Sequence, residues 1–386
     1  MIFSEKGLEK GGGVKIAIDG RWMLEDTGGI KRYTICLIKE LLKIDKKNEY
    51  YLLLNKPLSG DLIPCALRFL FVSYGPFSFQ NQLHLPLFLE KNRIDIFHSP
   101  NFMIPFIKRK YKVIITLHDL IPYLYPQLCF RSKKVKFLLF FKILLNLVVK
   151  KADIVITVSE NSKRDILKVF PFAKKKLRVI YNGVEEEKVI LKEGKWNELR
   201  FRFGIKDKFV LYVGRQDPSK NLIRLIEAFA LLKKEIEGIQ LVIVGRKDFR
   251  YPEPFKVVKK LGLEKDVIFT DTVKDTYLPY FYSHAAVFVF VSLYEGFGFP
   301  PLEAMKYGCP VVTSNVSSLP EVVGDAALKV NPYSVKEISD AIKKVLLDEE
   351  LRKKLVVNGY NQVEKFTWDK TALKTIKVYR ELSKEE

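Results

Sequence analysis

Little in this 386-residue chain is available for covalent or metal staples. Its four cysteines, Cys36, Cys65, Cys129 and Cys309, have neither zinc-site nor disulfide-framework spacing, which predicts free thiols and a reducing compartment. No N-terminal stretch joins a basic region, an apolar region and a small-residue cleavage site, and no uncharged apolar run reaches membrane-spanning length, so a cytoplasmic location is expected. Glutamine is scarce beside the charged residues, a weak mark of heat-stable proteins. Acid is scarce too, but only in the first half. Residues 1–183 carry 32 Lys and Arg against 15 Asp and Glu, and the remainder 34 against 30, so 17 of the net charge of +21 sits in the first half. That asymmetry points to an anionic partner, such as a membrane surface, a phosphorylated acceptor or nucleic acid, unless the lysines serve only solubility. Nucleic acid is not expected, because no groove-reading motif or interleaved aromatic platform accompanies the charge.

What is present is apolar residue in quantity, 48 % of the chain, enough to fill the cores of two domains. Strand-like runs are expected at 14–19, 50–54, 69–72, 94–97, 113–117, 154–158 and 177–180, and again at 209–213, 241–244, 267–269, 287–291, 311–313 and 327–330. They alternate with helical patterns, the rhythm of an α/β chain with parallel sheets covered on both faces. The charged stretch 182–200 lacks an apolar strand and reads as the linker. This divides the chain into a first Rossmann-like domain at 14–185, a second at 200–366 and a last amphipathic helix at 367–386, with residues 1–13 a loose extension. The stretch 131–151 carries seven basic and no acidic residues around an apolar centre. It is too short and too charged to span a bilayer. It suits either a membrane interface with lysines at anionic headgroups or a core-facing helix with solvated ends.

Residues 287–310 hold the densest set of chemical groups: an apolar strand, then a loop with Glu295, Gly296, Phe297 and Gly298, then a helix opened by Pro300 and Pro301 and stopped by Gly308. Glu303 is expected in the first helical turn, and the helix start is a natural seat for an anion. After the strand at 209–213, Gly214 and Arg215 lead to Asp217, a suitable N-cap, and to Lys220. Two cations at the carboxyl edge of a parallel sheet can clamp a diphosphate, although such a pair is also an ordinary surface cluster. His118 ends the strand at 113–117. Gly28 and Gly29, followed by Lys31 and Arg32, form a turn where a ligand can approach the backbone. His84, His98 and His284 have no comparable context.

The phrase from Ser292 to Val312, with Glu295 and Glu303 eight positions apart, and the following phrase 317–322 resemble the E-x7-E region of retaining glycosyltransferases with the GT-B fold, family GT4. The resemblance runs through nearly the whole chain from Val14. It implies two Rossmann-like, doubly wound domains facing each other across a cleft, with the last helix crossing back to the first domain. Arg215 and Lys220 would then neutralise the donor diphosphate, Glu295 would face the transferred sugar, and Glu303 would hold the ribose. Gly214, the backbone of Gly296, Phe297 and Gly298, and Val273 would complete the donor site. His118 would sit near the donor sugar and the acceptor as a positioning residue, and Gly28, Gly29, Lys31 and Arg32 would form the acceptor or phosphate loop. Where such enzymes usually carry a glycine near the nucleotide base, this chain has Thr270-Asp271-Thr272-Val273, which leaves the base open.

No metal is expected, since no D-x-D triplet occurs and fixed cations do the neutralising. No cofactor is implied beyond the co-substrate, a nucleotide-diphosphate sugar, GDP-mannose foremost or a UDP-hexose. The expected partners are that donor, a glycan or lipid-linked acceptor, and an anionic membrane surface met by 131–151, which would make the protein peripheral on the inner face of the cell membrane. A same-fold sugar-nucleotide epimerase and a non-enzymatic anion- or membrane-binding protein are the alternatives.

Overall fold

The computed structural model describes residues 13–24, 28–58, 67–107, 110–129, 137–185 and 189–383. Cys65, residues 131–136 and residues 1–12 of the expected extension lie outside the described residues. In the first half the apolar runs form β1 (Lys15–Asp19), β2 (Glu49–Leu54), β3 (Arg68–Phe71), β4 (Ile96–Ser99), β5 (Lys112–Thr116), β6 (Ile154–Thr157) and β7 (Leu177–Val179). The helices are α1 (Gly29–Ile44), α2 (Gln80–Lys91), the short α3 (Ile121–Leu124), α4 (Leu138–Lys151) and α5 (Glu160–Val169). The second half continues with α6 (Glu193–Phe203), β8 (Phe209–Val213), α7 (Leu222–Lys233), β9 (Gln240–Val244), α8 (Glu253–Lys260) and β10 (Val267–Asp271). It ends with α9 (Leu278–His284), β11 (Val287–Phe290), α10 (Phe299–Lys306), β12 (Val311–Ser314), α11 (Leu319–Val323), β13 (Ala327–Val330), α12 (Val335–Leu347), α13 (Glu349–Val363) and α14 (Trp368–Ser383).

Two parallel sheets result, a seven-stranded one in the order β3-β2-β1-β4-β5-β6-β7 and a six-stranded one in the order β10-β9-β8-β11-β12-β13. In each the strand order reverses once, between β1 and β4 and between β8 and β11. Such reversals leave a crevice at the carboxyl ends of the strands, where ligands of open α/β sheets bind. Nearly every strand residue near these points is buried, as a sheet covered on both faces requires.

One core fills the second sheet and its helices, while two cores cover opposite faces of the first. Trp368, Ala372, Ile376, Tyr379 and Leu382 of α14 belong to a first-sheet core with Ile16, Ile18 and Leu37. The chain therefore passes between the two bodies twice, and the two passages touch: Val184 N–H donates to Phe366 O at 2.8 Å. Gly183 allows this contact, since a Cβ there would fall 2.2 Å from Trp368 N.

Two expectations need correction. The stretch 182–200 is not all linker, because α6 starts at Glu193 and buries Trp196 and Leu199 in the second core. Its apolar residues are few and scattered, but Trp196 stacks on Phe209 with ring centroids 5.9 Å apart, so packing rather than periodicity makes it part of the second body. Glu303 is the fifth residue of α10, not part of its first turn, so it is misplaced to complement the helix dipole.

Candidate active site

The loop after β8 is built by its own side chains. Asp217 accepts from Ser219 N–H at 3.1 Å and caps the turn Pro218–Lys220, and Asn221, at φ +61°, hands the chain on to α7. Lys220 Nζ then reaches the loop after β11, donating to Glu295 Oε1 at 2.6 Å. Their side chains are 17 % and 12 % exposed. Burial disfavours the Lys220 charge, but Glu295 and then Asp217 outweigh it and lift the ammonium above the ordinary lysine range. Arg215 stays outside this pair. Its guanidinium is mostly exposed, 3.9 Å from Asp217, so the expected two-cation clamp has one nearly buried member and one at the surface.

Glu295 is held by Ser317 and Ser318. Its N–H donates to Ser317 Oγ at 3.1 Å, while Ser318 Oγ lies within hydrogen-bond reach of the carbonyls of Glu295 and Phe297, at 3.0 and 2.8 Å. The Phe297 ring is buried against Tyr181, Phe299 and Phe366, so only its backbone remains for a ligand. Gly298, at φ +105°, precedes α10 and supplies no side-chain cap to the helix start.

Across the crevice stands His118, just beyond β5. Its Nε2 lies 3.0 Å from the Pro100 carbonyl, which can only accept, so the proton sits on Nε2. The Tyr33 ring meets the imidazole edge-on at 4.9 Å. Ser162 at the start of α5 lies within hydrogen-bond reach of both His118 O and Gly296 O, at 3.0 and 3.3 Å. The two loops touch so closely that a Cβ on Gly296 would fall 2.6 Å from His118 O.

Gly28, at φ +39°, and Gly29 start α1, and nothing among the described residues lies within 4 Å of a Cβ added at either. Lys31 is exposed. Arg32 points elsewhere, into an ion pair with Glu303 whose carboxylate also accepts from Tyr282 OH at 2.9 Å. On the far side Val273 packs half-buried on the second core. Asp271 takes up the left-handed conformation that glycine would occupy, φ +61°, and its carboxylate accepts from Thr272 N–H at 2.8 Å and Lys247 N–H at 3.2 Å. The unusual Thr-Asp-Thr phrase thus preserves a glycine-like turn, because aspartate tolerates this region when its side chain bonds locally.

Residues 197–362 match the family description "Glycosyl transferases group 1", and residues 27–188 match "Glycosyltransferase Family 4". The O-antigen chain mannosyltransferase B of Escherichia coli is 31 % identical over 288 residues, 74 % of each chain. The chain belongs to glycosyltransferase family 4. The serotype-specific mannosyltransferase WbdA of the same organism is 30 % identical over 71 % of this chain but only 34 % of its own, so this transferase spans about a third of that relative. Among solved structures, Anabaena Alr3699/HepE in complex with UDP and glucose superposes with a TM-score of 0.74 at 19 % identity, covering 95 % of this chain and all of that one. It shares the two-sheet GT-B architecture.

Some contacts of the transferase were beyond the reach of sequence reasoning. Glu321 of the second body accepts from Glu160 N–H at 2.8 Å and Asn161 N–H at 3.1 Å, capping a first-body helix from across the cleft. In the sequence the phrase 317–322 carries only a family likeness. At the end of β1, Asp19 and Arg21 form a fully buried double hydrogen bond of 2.8 and 2.7 Å, and Arg21 also reaches Asn81 Oδ1 at 2.8 Å. His98, read as lacking context, is wholly buried with both ring nitrogens engaged.

Over its described part, helix α4 has one face in the core and another exposed. Phe141, Leu145, Val148 and Val149 face the core, while Leu139, Phe140 and Ile143 are more than 60 % exposed. Lys150 and Lys151 end it, and Lys176 donates to the Lys150 and Ala152 carbonyls at 3.0 and 2.7 Å. No helix among the described residues is long and apolar enough to cross a membrane.

Proposed function

We propose that this transferase moves a hexose, mannose foremost, from a nucleotide-diphosphate sugar to a glycan or lipid-linked acceptor, with retention at the anomeric carbon and without a metal ion. The observation that carries the reading is the Lys220–Glu295 pair, held at the strand-order reversal of the second sheet and brought against His118 through Gly296. A fixed ammonium there meets the charge that develops on a departing diphosphate. Exposed Arg215, beside Asp217, would meet the outer phosphate oxygens. Glu295 faces the sugar and Glu303 the ribose. Support for mannose comes from the O-antigen mannosyltransferase relatives, and support for a nucleotide-sugar donor from the UDP- and glucose-bound structural neighbour.

In this reading the bond from the anomeric carbon to the diphosphate breaks and the acceptor oxygen bonds to the same face. The departing phosphate oxygen takes the acceptor proton. His118 positions the reacting groups, because its Nε2–H is committed to the Pro100 carbonyl. The second body binds the donor, and the first, through Gly28, Gly29 and Lys31, receives the acceptor. Contact of Ser162 and Glu321 across the cleft excludes water, the competing acceptor.

The exposed apolar face of α4, with lysines at its end, would bring the first body onto an anionic membrane where a lipid-linked acceptor resides. Flotation with anionic and neutral liposomes checks this part, and equal recovery in both rejects it. Thermal shifts with GDP, UDP and ADP in the presence of a chelator test the donor site. Stabilisation by GDP or UDP is expected, and none by any of the three contradicts the proposal.

A further inference from the structure

A chain of buried polar groups runs from the last helix to the site histidine. Tyr379 OH of α14 lies 2.8 Å from His98 Nδ1, His98 Nε2 lies 2.9 Å from Thr116 Oγ1, and Thr116 Oγ1 lies 3.1 Å from Tyr33 OH. All four residues are 0 % exposed. The Tyr33 ring then meets the His118 imidazole edge-on at 4.9 Å. A second route is shorter: β4 carries His98, and two residues later Pro100 O accepts the His118 Nε2 proton at 3.0 Å.

The chemistry of the chain restricts it. A neutral imidazole has one donor and one acceptor, which suits a hydroxyl on either side, whereas an imidazolium would need two acceptors with no charge to offset it. Burial, and after it the neighbouring His118, pushes His98 down to about 3, so it stays neutral and the chain stays intact near neutral pH. The two ring nitrogens of His98 each have one partner, Tyr379 OH and Thr116 Oγ1, so loss of either hydroxyl leaves a buried ring nitrogen unsatisfied, and such atoms are costly. Apolar residues would fill this core space as well. A polar chain aimed at the site histidine is therefore better explained by orientation than by stability.

We propose that His98 and Tyr379 are positioning residues that fix the orientation and tautomer of His118, so that the crossing helix α14 completes the site of the first body. Trp368, at the other end of α14, stacks on Phe299 of α10 with centroids 6.3 Å apart, so the same helix abuts the donor side. The assignment rests on the reading of His118 as a site residue.

The test is Tyr379→Phe, which removes a single oxygen, alongside His98→Gln. The chain has four histidines, so their rings can be followed individually by long-range proton–nitrogen NMR, with His118 assigned through His118→Asn. The parent should show His118 with its proton on Nε2. In both variants its ring signals should move toward a mixture of tautomers, and release of GDP from GDP-mannose should slow roughly fivefold in kcat for Tyr379→Phe with donor KM unchanged. Unmoved His118 signals in both variants, or an unchanged kcat beside a raised KM, would overturn the assignment. The NMR readout needs no substrate. If GDP-mannose is not turned over at all, the donor reading fails while the ring signals still decide the role of His98 and Tyr379.

Discussion

Arg32, in the first turn of α1, and Glu303, in the second turn of α10, form an ion pair across the cleft, and the same carboxylate accepts from the buried Tyr282 hydroxyl. Burial and then Glu303 itself hold the Tyr282 proton on well above the ordinary tyrosine range, so this hydroxyl is a permanent donor. The group expected to hold the ribose is thus oriented from both bodies, and a donor nucleotide must share or displace Arg32 to reach it.

Glu303→Gln should weaken GDP or UDP binding about tenfold or more, since a charge-assisted hydrogen bond is worth roughly 1.5–3 kcal/mol. It should also erase discrimination between the nucleotide and its 2′-deoxy form. Calorimetry with both forms checks this, and retained discrimination would place the ribose elsewhere.

Lys220→Met should lower the transfer rate on the order of 10²–10³-fold, the usual cost of losing one fixed electrostatic donor in the transition state. It also strands the nearly buried Glu295, so stability falls. Adding Glu295→Gln should restore much of the melting temperature and none of the rate. Recovery of rate in the double variant would show that Lys220 serves only to neutralise Glu295.

Gly296→Ala inserts a Cβ 2.6 Å from the His118 carbonyl and 3.1 Å from Asp119 Cβ, contacts that only a separation of the two loops relieves. Displacement of this kind by about 1 Å costs on the order of 100-fold in rate. The circular dichroism melt should change far less than kcat, and an active Gly296→Ala would mean that the two loops do not meet during the reaction.

His98 makes folding depend on pH in a definite direction. Its folded value of about 3 lies below the ordinary 6.5, so the unfolded chain binds the extra proton first. Its stabilising contribution is complete above pH 6.5 and is lost as pH falls toward 3, at up to about 1.4 kcal/mol per pH unit. Denaturant melts from pH 7 to pH 4 should show a steeper decline for the parent than for His98→Gln. Equal slopes would mean that His98 is protonated in the folded protein.

The strands were legible because β-branched and aromatic runs such as 209–213 and 287–291 are buried on both faces and carry no competing helical period. Loop chemistry was legible where one residue type forces it, as with Asp217 before Pro218. Helix α6 was not, because its place depends on Trp196 finding Phe209. Long-range pairings left no local mark at all: Arg32 and Glu303, one on each body, are 271 positions apart, and Tyr379 of the returning helix lies 281 positions from His98. Arg32 and Glu303 stand out singly in the sequence and His98 and Tyr379 do not, and in both pairs the partner is set by how two sheets and a returning helix close on one another.

Retaining hexosyl transfer from a nucleotide-diphosphate sugar is decided by proton NMR of the enzyme with GDP-mannose or UDP-glucose and a chelator. The nucleoside diphosphate should be released, with the first-formed sugar product, glycoside or hydrolysed hexose, keeping the α configuration of the donor. First-formed β product, or an isomerised nucleotide sugar without release of the diphosphate, would contradict it.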